Sequence, residues 1–135
     1  MIPQRYEPIT YALFRIVVGF LFLAFGLQKM FGMFGGQQAA LMSLQGAGGV
    51  IETVCGLLVM IGLFTRPAAF LASGEMAVAY FYIHVRLMSV MPLVNMGERA
   101  TLFCFAFLYI ATRGAGIWSA DRAMAGGKAS TPARV

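Results

Sequence analysis

Residues 11–31 read YALFRIVVGFLFLAFGLQKMF, and this stretch decides the class of fold. Only Arg15, Gln28 and Lys29 interrupt it, and a run of about 20 mainly apolar residues is what an α-helix needs to cross a bilayer. It is long for the apolar core of a secretion signal, no small-x-small cleavage site follows it closely, and more apolar runs come after it. A second run covers about residues 48–64 and stops at Thr65, Arg66 and Pro67. Such a tight turn predicts a helical hairpin, with Pro67 in the first turn of the next helix. The third run covers about residues 67–85 and is followed by Pro92 and Asn95 as breakers. The fourth, about residues 98–112, is shorter. From Arg113 the chain turns polar and small, and residues 126–135 read as a mobile tail.

Composition points the same way. Of 135 residues, 60% are hydrophobic and 11% charged, with a mean hydropathy of +0.80, whereas about a quarter of a soluble domain is charged. The expected fold is therefore all-α: a polytopic membrane four-helix bundle, one domain over residues 1–125, with the lipid bilayer as its first partner and the inner membrane as its location. The formal charge of +5 could signal a nucleic acid or anionic lipid partner. The basic residues, however, are scattered at the ends of apolar runs, so nucleic acid is not expected. Four spans would put Arg5, Arg66, Arg113, Arg122, Lys128 and Arg134 on one side and Lys29, Arg86 and Arg99 on the other. This imbalance predicts both termini in the cytoplasm.

Ionisable groups inside a bilayer are costly and usually face the bundle interior or a cavity. Helical spacing puts Arg15, Gly19, Phe22, Gly26 and Lys29 on one stripe of the first helix. Gly49, Glu52, Gly56 and Val59 form another on the second, and Ala68, Ala72, Glu75 and Ala79 a third, the small residues allowing close helix approach. Depths counted from the helical rise put Arg15 near ~9 Å and Glu75 near ~13 Å from the cytoplasmic side. Two polar clusters are expected: an inner one of Arg15 with Glu75, and an outer one of Lys29 with Glu52, Glu98 and Arg99. Each has a structural alternative. Arg15 and Glu75 could be an ion pair that fixes helix register, and Lys29 could extend to the headgroups.

Other candidates carry less. His84 is a natural proton carrier, but it lies half a turn out of phase with Glu75 on a regular helix. Cys55 and Cys104 fall at similar depths on the second and fourth helices and could meet in the core, although buried thiols are commonly inert. The sequence contains no metal-ligand spacing, nucleotide-binding loop, catalytic triad or zinc motif, which argues against a self-contained enzyme.

These residues resemble the DoxX family of small four-helix bacterial membrane proteins. The matching segments are Arg15-x-x-x-Gly19-x-x-Phe22-x-x-x-Gly26-x-x-Lys29, then Glu52-x-x-x-Gly56-Leu57-Leu58 through Gly62-Leu63 to Thr65-Arg66 and Ala68-Ala69. Glu75-Met76-x-x-Ala79, Asn95-x-Gly97-Glu98 and Gly114-x-Gly116-x-x-Ser119-x-Asp121 complete the set. The resemblance implies association with membrane redox systems linked to quinones or thiols, and hence redox protein partners. The resulting expectation is an accessory subunit of a membrane oxidoreductase, with a polar cavity for a quinone-like or small thiol ligand and no covalently bound cofactor. Lys29, Glu52, Glu98, Arg15 and Glu75 are the candidate ligand-binding residues. The alternatives are a small-molecule or proton-coupled transport module and a purely structural subunit of a larger membrane complex; under any of these readings the chain could also form a homo-oligomer.

Overall fold

The computed structural model describes residues 2–33, 35, 43–84, 91–92 and 97–125. Helices joined by short turns make up these residues, with no strand among them. A short 3₁₀ turn, Gln4–Tyr6, leads into α1, Glu7–Phe31. There follow α2, Leu44–Ile61, and α3, Thr65–Ala79, which runs on into a π-helical turn, Tyr80–His84. The last two are α4, Glu98–Arg113, and α5, Ala120–Ala125.

Helix ends follow local chemistry more than the limits of apolar runs. Helix α1 starts before residue 11 because Pro8, in its first turn, needs no amide partner there. It stops at Gly32, in the left-handed region at φ 67°. The hydroxyl of Ser43 accepts a hydrogen bond from the Gly46 amide at 3.0 Å, so α2 begins ahead of residue 48. The turn after α2 also comes earlier than expected. Gly62, at φ 76°, closes the helix while the Leu63 amide donates to the Leu58 carbonyl at 2.8 Å. Helix α3 then starts at Thr65, with Pro67 in its first turn as expected. Asn95 and residues 126–135 lie outside the described residues.

The four longer helices alternate in direction. Helix α1 packs along α2, α2 along α3, and α3 along α4. The start of α1 therefore meets the end of α4, where the Arg113 guanidinium pairs with Glu7 at 2.8 Å. The expected stripes are the packed faces: Arg15, Gly19, Phe22 and Gly26 of α1 are buried, as are Gly49, Glu52, Gly56 and Val59 of α2. Gly19 and Gly56 permit the closest approach. A Cβ on Gly19 would stand 2.5 Å from the Met60 amide nitrogen, and one on Gly56 2.5 Å from that of Leu23. Between α1 and α4 the rings of Phe22, Phe103 and Phe107 form a cluster, with the Phe22 and Phe107 centroids 4.6 Å apart.

The distribution of polarity is inverted relative to a water-soluble protein. Arg15 is fully buried and Glu52 is 2% exposed, while Phe20, Val54, Phe70, Leu102 and Phe105 are all more than half exposed. Large apolar side chains pointing outward over whole helices mark a surface that meets lipid or another apolar partner. Among the described residues, Gln4–Phe31 is the helix long and apolar enough to span a bilayer alone, and Gln45–Ile61 is apolar but shorter. The third and fourth expected spans correspond to α3 with its π turn and to α4, which has 16 residues.

Candidate functional site

The stripes of α1 and α2 bring two opposite charges together. The Lys29 ammonium lies 2.7 Å from Glu52 Oε1. Glu52 is the more enclosed partner, since the Lys29 side chain is 34% exposed and that of Glu52 only 2%. The second carboxylate oxygen of Glu52 is buried without a hydrogen-bond partner, so Lys29 is its counter-ion and its donor at once.

Glu75 stands beside this pair. It lines a cavity of about 480 Å³ between α2 and α3, together with Lys29, Gly48, Ile51, Phe70, Leu71, Gly74, Val78 and Tyr82. Its Oε1 faces Gly48 so closely that a Cβ there would lie 2.9 Å from it. Its Oε2 is buried and has no hydrogen-bond partner. A mostly apolar cleft with a few placed polar groups is the usual form of a small-molecule site. Gly74 also faces the cleft, and a Cβ at this position would meet nothing within 4 Å.

The expected inner cluster of Arg15 with Glu75 does not form. Arg15 packs against Gly62, at one end of α2, and Glu75 against Gly48, near the other. Those glycines are 14 residues apart, roughly 21 Å at the helical rise. Counting depth from the ends of apolar runs took α1 and α3 to start at one level, whereas Arg15, eight residues after the start of α1, is level with the turn at Gly62, and Glu75, ten residues after the start of α3, lies well inside. Arg15 Nη2 instead donates to the Trp118 carbonyl at 2.8 Å, while its Nε and Nη1 are buried without hydrogen-bond partners.

Around Arg15 the segment after α4 folds back over the helix ends. The Tyr11 hydroxyl donates to the Gly114 carbonyl at 2.6 Å. The Asp121 carboxylate accepts the Phe64 and Thr65 amides at 2.9 and 3.0 Å, and so caps the start of α3 from another element. Arg66 donates to the Ala111, Thr112 and Arg113 carbonyls that end α4. Gly114 and Gly116, at φ 93° and 71°, make the reversal. The sequence reading gave Trp118 and Asp121 no physical role. Its only sign of them was the glycine-spaced pattern ending at Asp121.

Glu98 opens α4 and is exposed, so the outer cluster forms without it. Its neighbour Arg99 lies over the Phe25 ring at 4.4 Å and within electrostatic reach of Glu52. Cys55 and Cys104 are free thiols, and Cys104 is held against α3, where the Ser73 hydroxyl donates to its carbonyl at 2.8 Å. The π turn ending at His84 breaks the regular phase by which that residue was set opposite Glu75. The His84 side chain is outside those described.

The fold and this cleft define an all-helical protein with charge held inside and an apolar surface. The chain belongs to the DoxX family, whose family model matches residues 10–85. It is 40% identical over 124 residues to an uncharacterized protein of Haemophilus influenzae, covering 87% of this chain and 92% of that one. It is 31% identical over 133 residues to the inner membrane protein YphA of Escherichia coli, covering 86% and 91% respectively. No solved structure matches.

Proposed function

We propose that this chain is a multi-pass inner-membrane protein, a membrane four-helix bundle with both termini in the cytoplasm. In this reading it is an accessory subunit of a membrane oxidoreductase system that holds a quinone-type amphiphile in the α2–α3 cleft. The observation that carries ligand holding is the unpartnered Glu75 oxygen in an apolar cleft beside the Lys29–Glu52 pair. Family membership supports the redox setting, and the relative named as an inner membrane protein supports the location. Transport through the bundle is the weaker reading. Between Glu75 and Arg15 the interior is filled by Phe22, Cys55, Val59, Ala72 and Phe107, all buried apolar residues, where a polar pathway would need ionisable or hydrated groups.

Two measurements test this. Gly74→Leu should fill the cleft without displacing the backbone, because a Cβ at this position has open space. After purification in mild detergent, mass spectrometry should find a quinone-type molecule with the wild type. The variant should retain roughly tenfold less, as losing about 1.4 kcal/mol of binding would give. Bulk phospholipid alone in both preparations would overturn the proposal. The same spectra report partners: a co-purifying redox subunit supports the accessory role, and a homo-oligomer alone counts against it. For orientation, a reporter fused after Val135 should read cytoplasmic, and an external reading would reverse the assigned topology.

A further inference from the structure

We infer that the α2–α3 cleft selects amphiphiles whose head group donates a hydrogen bond, an ammonium or a hydroxyl, over those with acidic or acceptor-only heads. The inference deepens the reading of the cleft as a ligand site and rests on it. Two observations and one rule of hydrogen bonding carry it. Lys29, the cation lining the cleft, has its charge engaged by Glu52 at 2.7 Å. Glu75 presents two carboxylate oxygens, one against Gly48 and the other buried and unpartnered. A carboxylate in its ionised form only accepts hydrogen bonds, so the group that satisfies an ionised Glu75 is a donor.

The walls set the rest of the ligand. Phe70, Leu71 and Val78 line the cleft and are each more than half exposed on the outer surface of α3. The mouth thus opens through the apolar face, and an occupant arrives from the hydrocarbon side with a chain or ring as its body. Phe70 and Tyr82 add aromatic surface, which favours a cationic head further. For a quinone-type ligand the same logic selects the reduced form, whose hydroxyls donate, over the oxidised form, whose carbonyls only accept.

The test uses probes of one chain length in nanodiscs of zwitterionic lipid, compared at equal mole fraction: dodecylamine, dodecanol, methyl dodecanoate and dodecanoate. The readout is the thermal midpoint of the full chain. The amine and the alcohol should act at roughly tenfold lower concentration than the ester or the acid, the range expected of a charge-assisted hydrogen bond. Glu75→Gln, whose amide also donates, should lose most of that preference while still responding, and Gly74→Leu should respond to none. Equal responses to all four probes that Gly74→Leu abolishes would overturn head-group selection and leave the cleft as a site. A response to none, or one that Gly74→Leu leaves unchanged, would overturn the cleft itself.

Discussion

Lys29→Met is expected to destabilise the protein by about 3 to 5 kcal/mol, the usual cost of leaving one member of a buried pair alone. Glu52 is 2% exposed and has a second oxygen with no partner, so removing the ammonium leaves a carboxylate with no hydrogen-bond donor and only the more distant Arg99 as a cation. It would also leave Glu52 facing Glu75 with no cation between them. The reverse change should cost less. The Lys29 side chain is 34% exposed, and a lysine at the end of a helix can extend its ammonium towards the interface. Glu52→Leu should therefore lie clearly below Lys29→Met in cost, and the double variant should recover most of the loss, since an apolar pair of similar volume can replace a buried ion pair at little cost. Unfolding in detergent across the four-member cycle measures this. A double variant as unstable as the sum of the singles would mean that the pair contributes nothing as a pair. Arg15 and Glu75 supply the contrast: at the separation found here their substitutions should add.

How far the sequence was legible depends on the kind of signal. Helical spacing of small and charged residues is a local property, and it identified the buried faces of α1 and α2, including Arg15 and Glu52. It also singled out Lys29, Glu52 and Glu75 as residues turned inward; Lys29 and Glu75 line the cleft and Glu52 pairs with Lys29 behind it. Which inward charge meets which is not local. It depends on helix register, and an error of one turn at the start of a helix moves a side chain by about 5 Å along the axis. Arg15 is eight residues into α1 yet level with Gly62, beside the start of α3, while Glu75 is ten residues into α3, so counting both helices from one level mismatched their depths. The partner of Arg15 is a backbone carbonyl, that of Trp118, and a carbonyl acceptor has no residue-type signature. The same holds for the amides of Phe64 and Thr65 that Asp121 caps. The α2–α3 cleft was legible only as an expectation of some polar cavity, because its shape comes from Gly48 and Gly74 having no side chain where the two helices part.

Gly56→Leu is expected to cost at least about 3 kcal/mol, at or beyond the upper end of ordinary overpacking, and Gly56→Ala should already be clearly destabilising. The reason is what a new side chain would strike. In most cores an added methyl pushes against the end of another side chain, which can rotate away. At Gly56 the first atom in the way is the backbone nitrogen of Leu23, at 2.5 Å, followed by its Cα at 2.8 Å. Backbone atoms inside a helix cannot yield unless the whole helix moves, so relief requires α1 and α2 to separate along their contact. Separation would also be felt at Gly19, which faces the Met60 backbone, and at Gly26, which faces Thr53. In a lipid environment helix association relies on close packing more than on the hydrophobic effect, so the loss has little to offset it. Gly74, which faces the open cleft instead of a neighbouring helix backbone, is the internal control. Gly74→Ala should be neutral or stabilising by about 0.5 to 1 kcal/mol, because a helical glycine carries excess backbone entropy and the new methyl meets nothing. The Lys29–Glu52 pair joins the same two helices. Gly56→Leu combined with Lys29→Met should therefore cost less than the sum of the two, since helices already held apart have less of the pair left to lose. Equal stabilities of Gly56→Ala and Gly74→Ala would show that the two helices do not approach as closely as their backbones are placed here.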